Sequence, residues 1–364
     1  MRYMKRFLFS VCCCGMLCCQ ASAQSTQKLS ASKANDYGIM YSLPATVLKI
    51  TLEAERTECN PGEFYKYARR YLGTSDAVAT PSVQWRLLGA TVTSEGVIDT
   101  GAEKYLMQLK SASNPFLLID ENGLPLALNT DQVMAKETVE LPEPRPASPT
   151  ALDGPAARQA VTAEMVQSSS TAKRAELAAA RIMEIRSSRN DYLTGQADQM
   201  PDGSALKLIL SNLDAQEEAL TAMFLGTQST STEVVTLTYM PKADVTDEVI
   251  ARLSRTEGIV DADDLRGVPV YISVDVTSRG KMPVNDKGET KAMPKGGVAY
   301  CIPGSANVTV STDGRTLDSV DLTVAQFGVV YGLDPALFTS KKAPSYVIFD
   351  SVTGGIREIG TLTE

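Results

Sequence analysis

Between Pro155 and Gly226 the spacing of apolar residues switches from two to three and four, and beyond Gly226 it switches back. Side chains alternate across a strand but recur every third or fourth residue on a helix, so the chain has to combine sheets with helices. Leu206, Ile209, Leu210, Leu213, Leu220, Met223 and Phe224 share one helix face, and Leu177, Ala178, Ile182 and Ile185 repeat in the same way upstream. The stretch from Thr194-Gly195-Gln196 through Pro201-Asp202-Gly203-Ser204 interrupts the pattern. Residues 156–226 therefore read as an αα-hairpin.

The flanks read as strands. Leu48, Ile50, Leu52 and Ala54 alternate with Lys49, Thr51, Glu53 and Glu55, the mark of a half-buried strand. Asn60, Pro61 and Glu63 have the parts of a helix start, followed by a stripe of Phe64, Tyr67, Ala68, Tyr71 and Leu72. That stripe predicts a helix of about three turns stopping at Gly73. Val83, Trp85 and Leu87 alternate, Tyr105 to Leu109 reads as a strand, and residues 116–119 and 124–128 read as a hairpin around Asp120–Gly123. The proline-rich run from Leu141 to Pro149 suits neither a helix nor an inner strand and reads as an extended spacer. Further strands are expected at residues 235–239, 268–276, 298–302, 307–310, 320–324 and 346–349, with turn signals at Pro303-Gly304, Asp313-Gly314 and Gly354-Gly355. The expected fold is α+β. Two antiparallel β-rich regions, 24–140 and 227–364, flank a proline-rich linker (141–155) and a central helical hairpin (156–226).

The first 23 residues have the order of a signal peptide: Arg2, Lys5 and Arg6, an apolar run from Phe7 to Cys19, then Ala21-Ser22-Ala23. Cleavage is expected between Ala23 and Gln24, which sends the chain to the periplasm or the outer membrane. No later run approaches membrane-spanning length, so no transmembrane segment is expected after cleavage. Lipidation is the alternative, but neither Cys18 nor Cys19 has leucine three residues before it and a small residue directly before it. Removing 23 of 364 residues leaves 341, enough for two or three domains. Losing three basic and no acidic residues moves the net charge from −8 to −11, a balance poorly suited to nucleic acid or anionic membranes. Beyond the leader only Cys59 and Cys301 are left. A bridge between them would close a loop of about 240 residues, worth about 4–5 kcal/mol by chain entropy. Two independent buried thiols are the other reading.

Several local motifs carry a family resemblance. Tyr41-Ser42-Leu43-Pro44, the run from Pro61 to Ala68 and Tyr71-Leu72-Gly73 resemble the opening of a family of exported Bacteroidetes proteins of unknown function. The resemblance continues at Ser187-Ser188-Arg189, Leu193-Thr194-Gly195 and Pro201-Asp202-Gly203, then at residues 302–306 and 324–328. It implies an envelope location and supplies no catalytic residues.

The chain has no histidine. That excludes Ser-His-Asp and Cys-His catalysis and histidine-ligated zinc. No phosphate-binding loop or dinucleotide fingerprint occurs, and no cofactor is expected. The densest acidic cluster is Asp261, Asp263 and Asp264 with Glu257, which suits a solvated loop better than a calcium or glycosidase site. The stripe of Phe64, Tyr67 and Tyr71 suits core packing better than a sugar platform. Gln326-Phe327-Gly328 within an apolar run suggests a bulge or a close approach. Lys173, Arg174, Arg181, Arg186 and Arg189 make the first long helix basic, as a solvated surface or as a site for an acidic partner. Ser-x-x-Lys pairs at Ser170/Lys173 and Ser204/Lys207 sit at helix starts, where capping is the plainer role. Two roles stay open. One is a non-enzymatic envelope component that binds another envelope protein, and the other is a glycan-binding or carboxylate-dependent glycan-hydrolysing protein.

Overall fold

The computed structural model describes residues 38–99, 101–108, 116–133, 135, 138–294, 297–338 and 344–362. The expected cleavage site at Ala23 and Gln24 lies outside the described residues.

The organising strand is β2 (Pro44–Asn60). It is antiparallel to β3 (Ser82–Ile98) on one edge and to β7 (Thr227–Tyr239) on the other. Its period-two pattern puts Leu48, Ile50, Leu52 and Ala54 on one fully buried face. That face packs on a five-stranded sheet of order β12-β11-β10-β8-β9. These strands are β8 (Val245–Ser254), β9 (Gly258–Val260), β10 (Val268–Ser278), β11 (Val298–Thr312) and β12 (Arg315–Leu333). Val270, Ile272, Val274, Val308, Val310 and Phe327 fill the space between the sheets. Each such side chain contributes about 1.5–3 kcal/mol of transfer free energy. Along β3 the two sheets are tied by side chains. The Val92 N–H donates to Asp318 Oδ2 (2.8 Å), and Arg315 Nη2 donates to Leu87 O (3.1 Å).

A second core joins β1 (Gly38–Ser42) and β4 (Lys104–Gln108) to a sheet of order β14-β13-β6-β5. Its strands are β5 (Leu117–Ile119), β6 (Pro125–Leu128), β13 (Ser345–Phe349) and β14 (Ile356–Thr361). Tyr41, Leu128, Val347 and Phe349 meet Val298, Ala299 and Leu333 from the ends of β11 and β12. The Tyr41 hydroxyl donates to Ala299 O (3.1 Å), and burial pushes its pKa above the ordinary phenol range.

The helices are α1 (Ala68–Tyr71), α2 (Pro155–Ala160), α3 (Ala163–Gln167), α4 (Thr171–Thr194) and α5 (Gly203–Leu225). Ala178, Ile182 and Ile185 of α4 and Leu220 and Phe224 of α5 bury against Phe64 and Ala68 from the first half of the chain. Ala160 and Met165 close this third core.

This arrangement overturns the α+β expectation of two β-rich regions around a central helical hairpin. The protein is mostly β: of the described residues 44% are strand and 22% helical, and their strands form four sheets. The physical reason is the demand of β2 for two partners. One lies before the helices and one after them, so a sheet spans what the sequence pattern separates. The helices are likewise one layer of a core completed by Phe64 and Ala68 from before them, not a unit that packs only on itself.

Local expectations change too. The three-turn helix after Asn60 shortens to a 3-10 turn at Tyr65–Tyr67 followed by α1. Asn60 closes β2 instead of capping, and the Phe64 N–H bonds Met223 O (2.7 Å). Residues 298–302 and 307–310 belong to one strand, β11, and Pro303-Gly304 is a bulge inside it. There a Cβ on Gly304 would lie 2.6 Å from Ser278 O and 2.7 Å from Phe327 Cβ, so only glycine lets the backbones pass. The proline-rich run is an edge strand in part. Arg145 and Thr232 exchange both backbone hydrogen bonds (3.2 and 3.0 Å), and the Ser148 N–H donates to Thr230 O (2.8 Å).

Candidate functional site

Helix α4 starts at Ser170, whose Oγ accepts from the Lys173 N–H (3.4 Å), and ends at Gly195 in the left-handed conformation. Helix α5 starts at Asp202, whose Oδ1 accepts from the Ala205 N–H (2.9 Å) and from the Ser204 hydroxyl (3.0 Å). The two Ser-Lys spacings at these starts thus serve helix ends. With 24 and 23 residues, the helices each run about 35 Å.

Only their proximal halves enter the helical core. On α4 no residue beyond Ile185 is buried, and on α5 none before Ala219. Leu193 and Leu208 in the distal halves, and Met200 in the connection between the helices, are exposed by 51–67%.

Charge pairs span the two helices at the junction of the halves. Arg186 Nε meets Glu217 Oε1 at 2.6 Å, while Arg189 Nη1 lies 2.8 Å from Asp214 Oδ1 and 2.7 Å from Glu217 Oε2. The hydrogen bond to Asp214, with the charge of Glu217 behind it, pushes the Arg189 pKa up. Beside this cluster a cleft of about 600 Å³ opens between α5, the residues around Thr150 and the start of β7. Its chemistry is that of a clasp. A glycosidase needs one free carboxylate and one protonated acid about 5–10 Å apart, and here Asp214 and Glu217 are both held by guanidinium groups.

The other candidate residues are dispersed. Arg266 bonds both Asp264 (2.5 Å) and Glu257 (2.6 Å), and it holds the Asp264 carboxyl down at about 2. No group of three or more potential ligands gathers among the described residues. Tyr67 and Tyr71 pack on the helical core, with Tyr71 edge-on to Phe224 at 6.3 Å, and Trp85 packs on the core between the sheets. The aromatic stripe therefore does not form a sugar platform.

Cys59 and Cys301 are both free thiols. Cys301 Sγ donates to Ala325 O (3.6 Å), and the Ala325 N–H bonds Thr46 Oγ1 (3.0 Å), so Cys301 sits beside Thr46. Cys59 lies on the same strand as Thr46 but about 40 Å further along at strand rise, far beyond the reach of about 7 Å that a disulfide allows. Burial pushes the Cys301 thiol up to about 11.

Sequence reasoning missed two things. It read the basic stripe of α4 as solvated or meant for an acidic partner, whereas Arg186 and Arg189 meet α5 of the same chain. The available signal was Asp214, Glu217 and Glu218 at three- and four-residue spacing. It also noted Gln326 without a role. The Gln326 Oε1 accepts from the Thr46 N–H (3.0 Å) and its Nε2 donates to Thr46 O (2.7 Å), so the side chain completes β2 beyond the end of β7.

The fold is that of a mostly-β protein with a helical layer, and no polar cluster among the described residues defines a reaction. Residues 37–357 match a family described as a domain of unknown function (DUF4831), and with most of its length matched the chain belongs to that family. No curated protein and no solved structure matches it. Among the described residues, no helix is long and apolar enough to cross a membrane.

Proposed function

We propose that this protein is an exported, non-catalytic component of the cell envelope that works by binding another envelope protein. The observation that carries this reading is the pair of projecting helix ends, with Leu193, Met200 and Leu208 exposed where no core of the chain covers them. Exposed large apolar side chains favour a protein surface over a sugar. The leader sequence supports export, and an acidic net charge of −8 weighs against nucleic acid as the partner.

The test is mild cross-linking in the native envelope with the wild-type chain and with a Leu193→Asp, Leu208→Asp variant of unchanged circular dichroism. The expected result is one defined protein recovered with the wild type and lost with the variant. Equal recovery from both, or recovery of glycan alone, would sink the reading.

A further inference from the structure

The edge of β7 facing away from β2 is half used. Arg145 occupies it at Thr232, and Ser148 occupies it at Thr230. In an antiparallel ladder every second residue points its N–H and C=O to the same side. Thr232 points to Arg145, so Val234, Thr236 and Thr238 point to the same open side. Among the described residues none of their backbone groups is bonded there. Beside this edge lies a groove of about 320 Å³, whose apolar lining includes Val235, Leu237, Ile250, Ile259 and Val260.

We infer that this open edge is a strand-binding site and that its occupant is the chain's own Leu141–Pro144, which closes over the groove as a strap. The register is already set by the Arg145–Thr232 pair. Continued by two residues at a time, it brings Glu143 opposite Val234 and Leu141 opposite Thr236. Both Glu143 and Leu141 keep the N–H that these positions require. Pro142, Pro144 and Pro146 fall at the alternate positions, where nitrogen points away from β7 and no donor is needed. Opposed residues of an antiparallel pair share a face, so the Pro142 ring would lie beside Val235, over the groove. Glu140 would come opposite Leu237, so the apolar match over the groove ends at Pro142, Leu141 is the last residue to bond β7, and the strap is four residues long.

In this structure the strap is off the edge, and Leu141 is 47% exposed. Closing gains a few hydrogen bonds and covers the groove, against the ordering of a short segment. Proline lowers that ordering cost because its φ is already fixed. The two states are thus close in free energy, and the strap decides whether the edge is open to another chain.

The test uses the chain from Gln24 onward with Cys59→Ser. A Glu143→Cys, Val234→Cys pair is oxidised alongside an off-register Glu143→Cys, Thr236→Cys pair. The in-register pair is expected to cross-link several-fold faster, and equal rates would overturn the strap. Amide exchange gives a readout that needs no new cysteines. Glu143→Pro removes the inward donor while keeping extended backbone, and it is expected to speed exchange at Val234 and Thr236 several-fold. Unchanged exchange would overturn the proposal. So would protection of these amides that rises with protein concentration and ignores Glu143→Pro, because a second copy would then be the occupant.

Discussion

Replacing Gln326 by alanine isolates one join between the sheets. Thr46 is fully buried, and the pairing of β7 with β2 stops at Leu48 and Tyr239, short of Thr46. The Gln326 amide supplies what a further strand would have supplied, one acceptor at 3.0 Å and one donor at 2.7 Å. Alanine leaves a buried N–H and a buried C=O without partners, each costing about 1–3 kcal/mol. With water entering part of the space, the expected loss is about 2–4 kcal/mol, read from urea unfolding followed by circular dichroism. Gln326→Glu separates hydrogen bonding from side-chain volume. Its carboxylate can accept from the Thr46 N–H but opposes the Thr46 carbonyl, so at pH 7 it should cost as much as alanine. Below about pH 4 the protonated acid can donate again, and part of the loss should return. An alanine variant within about 0.5 kcal/mol of wild type, or a glutamate variant equal to wild type at pH 7, would refute the reasoning, since a buried unpaired group cannot be that cheap.

The remaining expectations are simpler. Phe224→Ala removes a ring packed 5.3 Å from Phe64 and should cost about 3–5 kcal/mol, with the helical signal melting first on heating. A thiol reagent at pH 8 should label Cys59 in the folded chain and Cys301 only after denaturation, because burial holds the Cys301 thiol at about 11; prompt labelling of both would contradict this. The Asp264 carboxyl should titrate near 2 by carbon-13 NMR and return toward about 3.9 in Arg266→Gln. Because its folded pKa is lowered, whatever that ion pair adds to stability is present above about pH 4 and lost as pH falls through 2.

Strands and helices were legible in the sequence wherever one face is dry and the other wet. The alternation at Leu48–Ala54 records burial directly, whereas the three-and-four spacing at Leu206–Phe224 records a helix face that is buried only from Ala219 onward. Pairing was not legible, because period two states that a strand has a buried face and is silent on which strand lies beside it. Nothing in Leu52 names Val235 as its neighbour. The bulge at Pro303-Gly304 looked like a turn because both use the same residues, and only the crowding of Ser278 and Phe327 tells them apart. The candidate site was legible in its charges but not in their pairing, since Arg186 and Glu217 are joined across two helices.

The position of β2 between β3 and β7 also sets a clock. Leu48 waits for Tyr239, and a ribosome adding about 5–20 residues per second needs roughly 10–40 s to make the chain between them. Through that interval β2 has β3 alone beside it, and two strands by themselves are marginal in water. Ile50 and Leu52 stay wet until the opposing sheet is complete, and the last hydrogen bond to β2, from the Thr46 hydroxyl to Val352 O, needs a residue made 306 positions after Thr46. A chain that stops before Thr227 can close the helical core of residues 64–225 but leaves β2 with one partner and its Leu48–Ala54 face uncovered. Its first half is the stretch that a holding chaperone would have to cover.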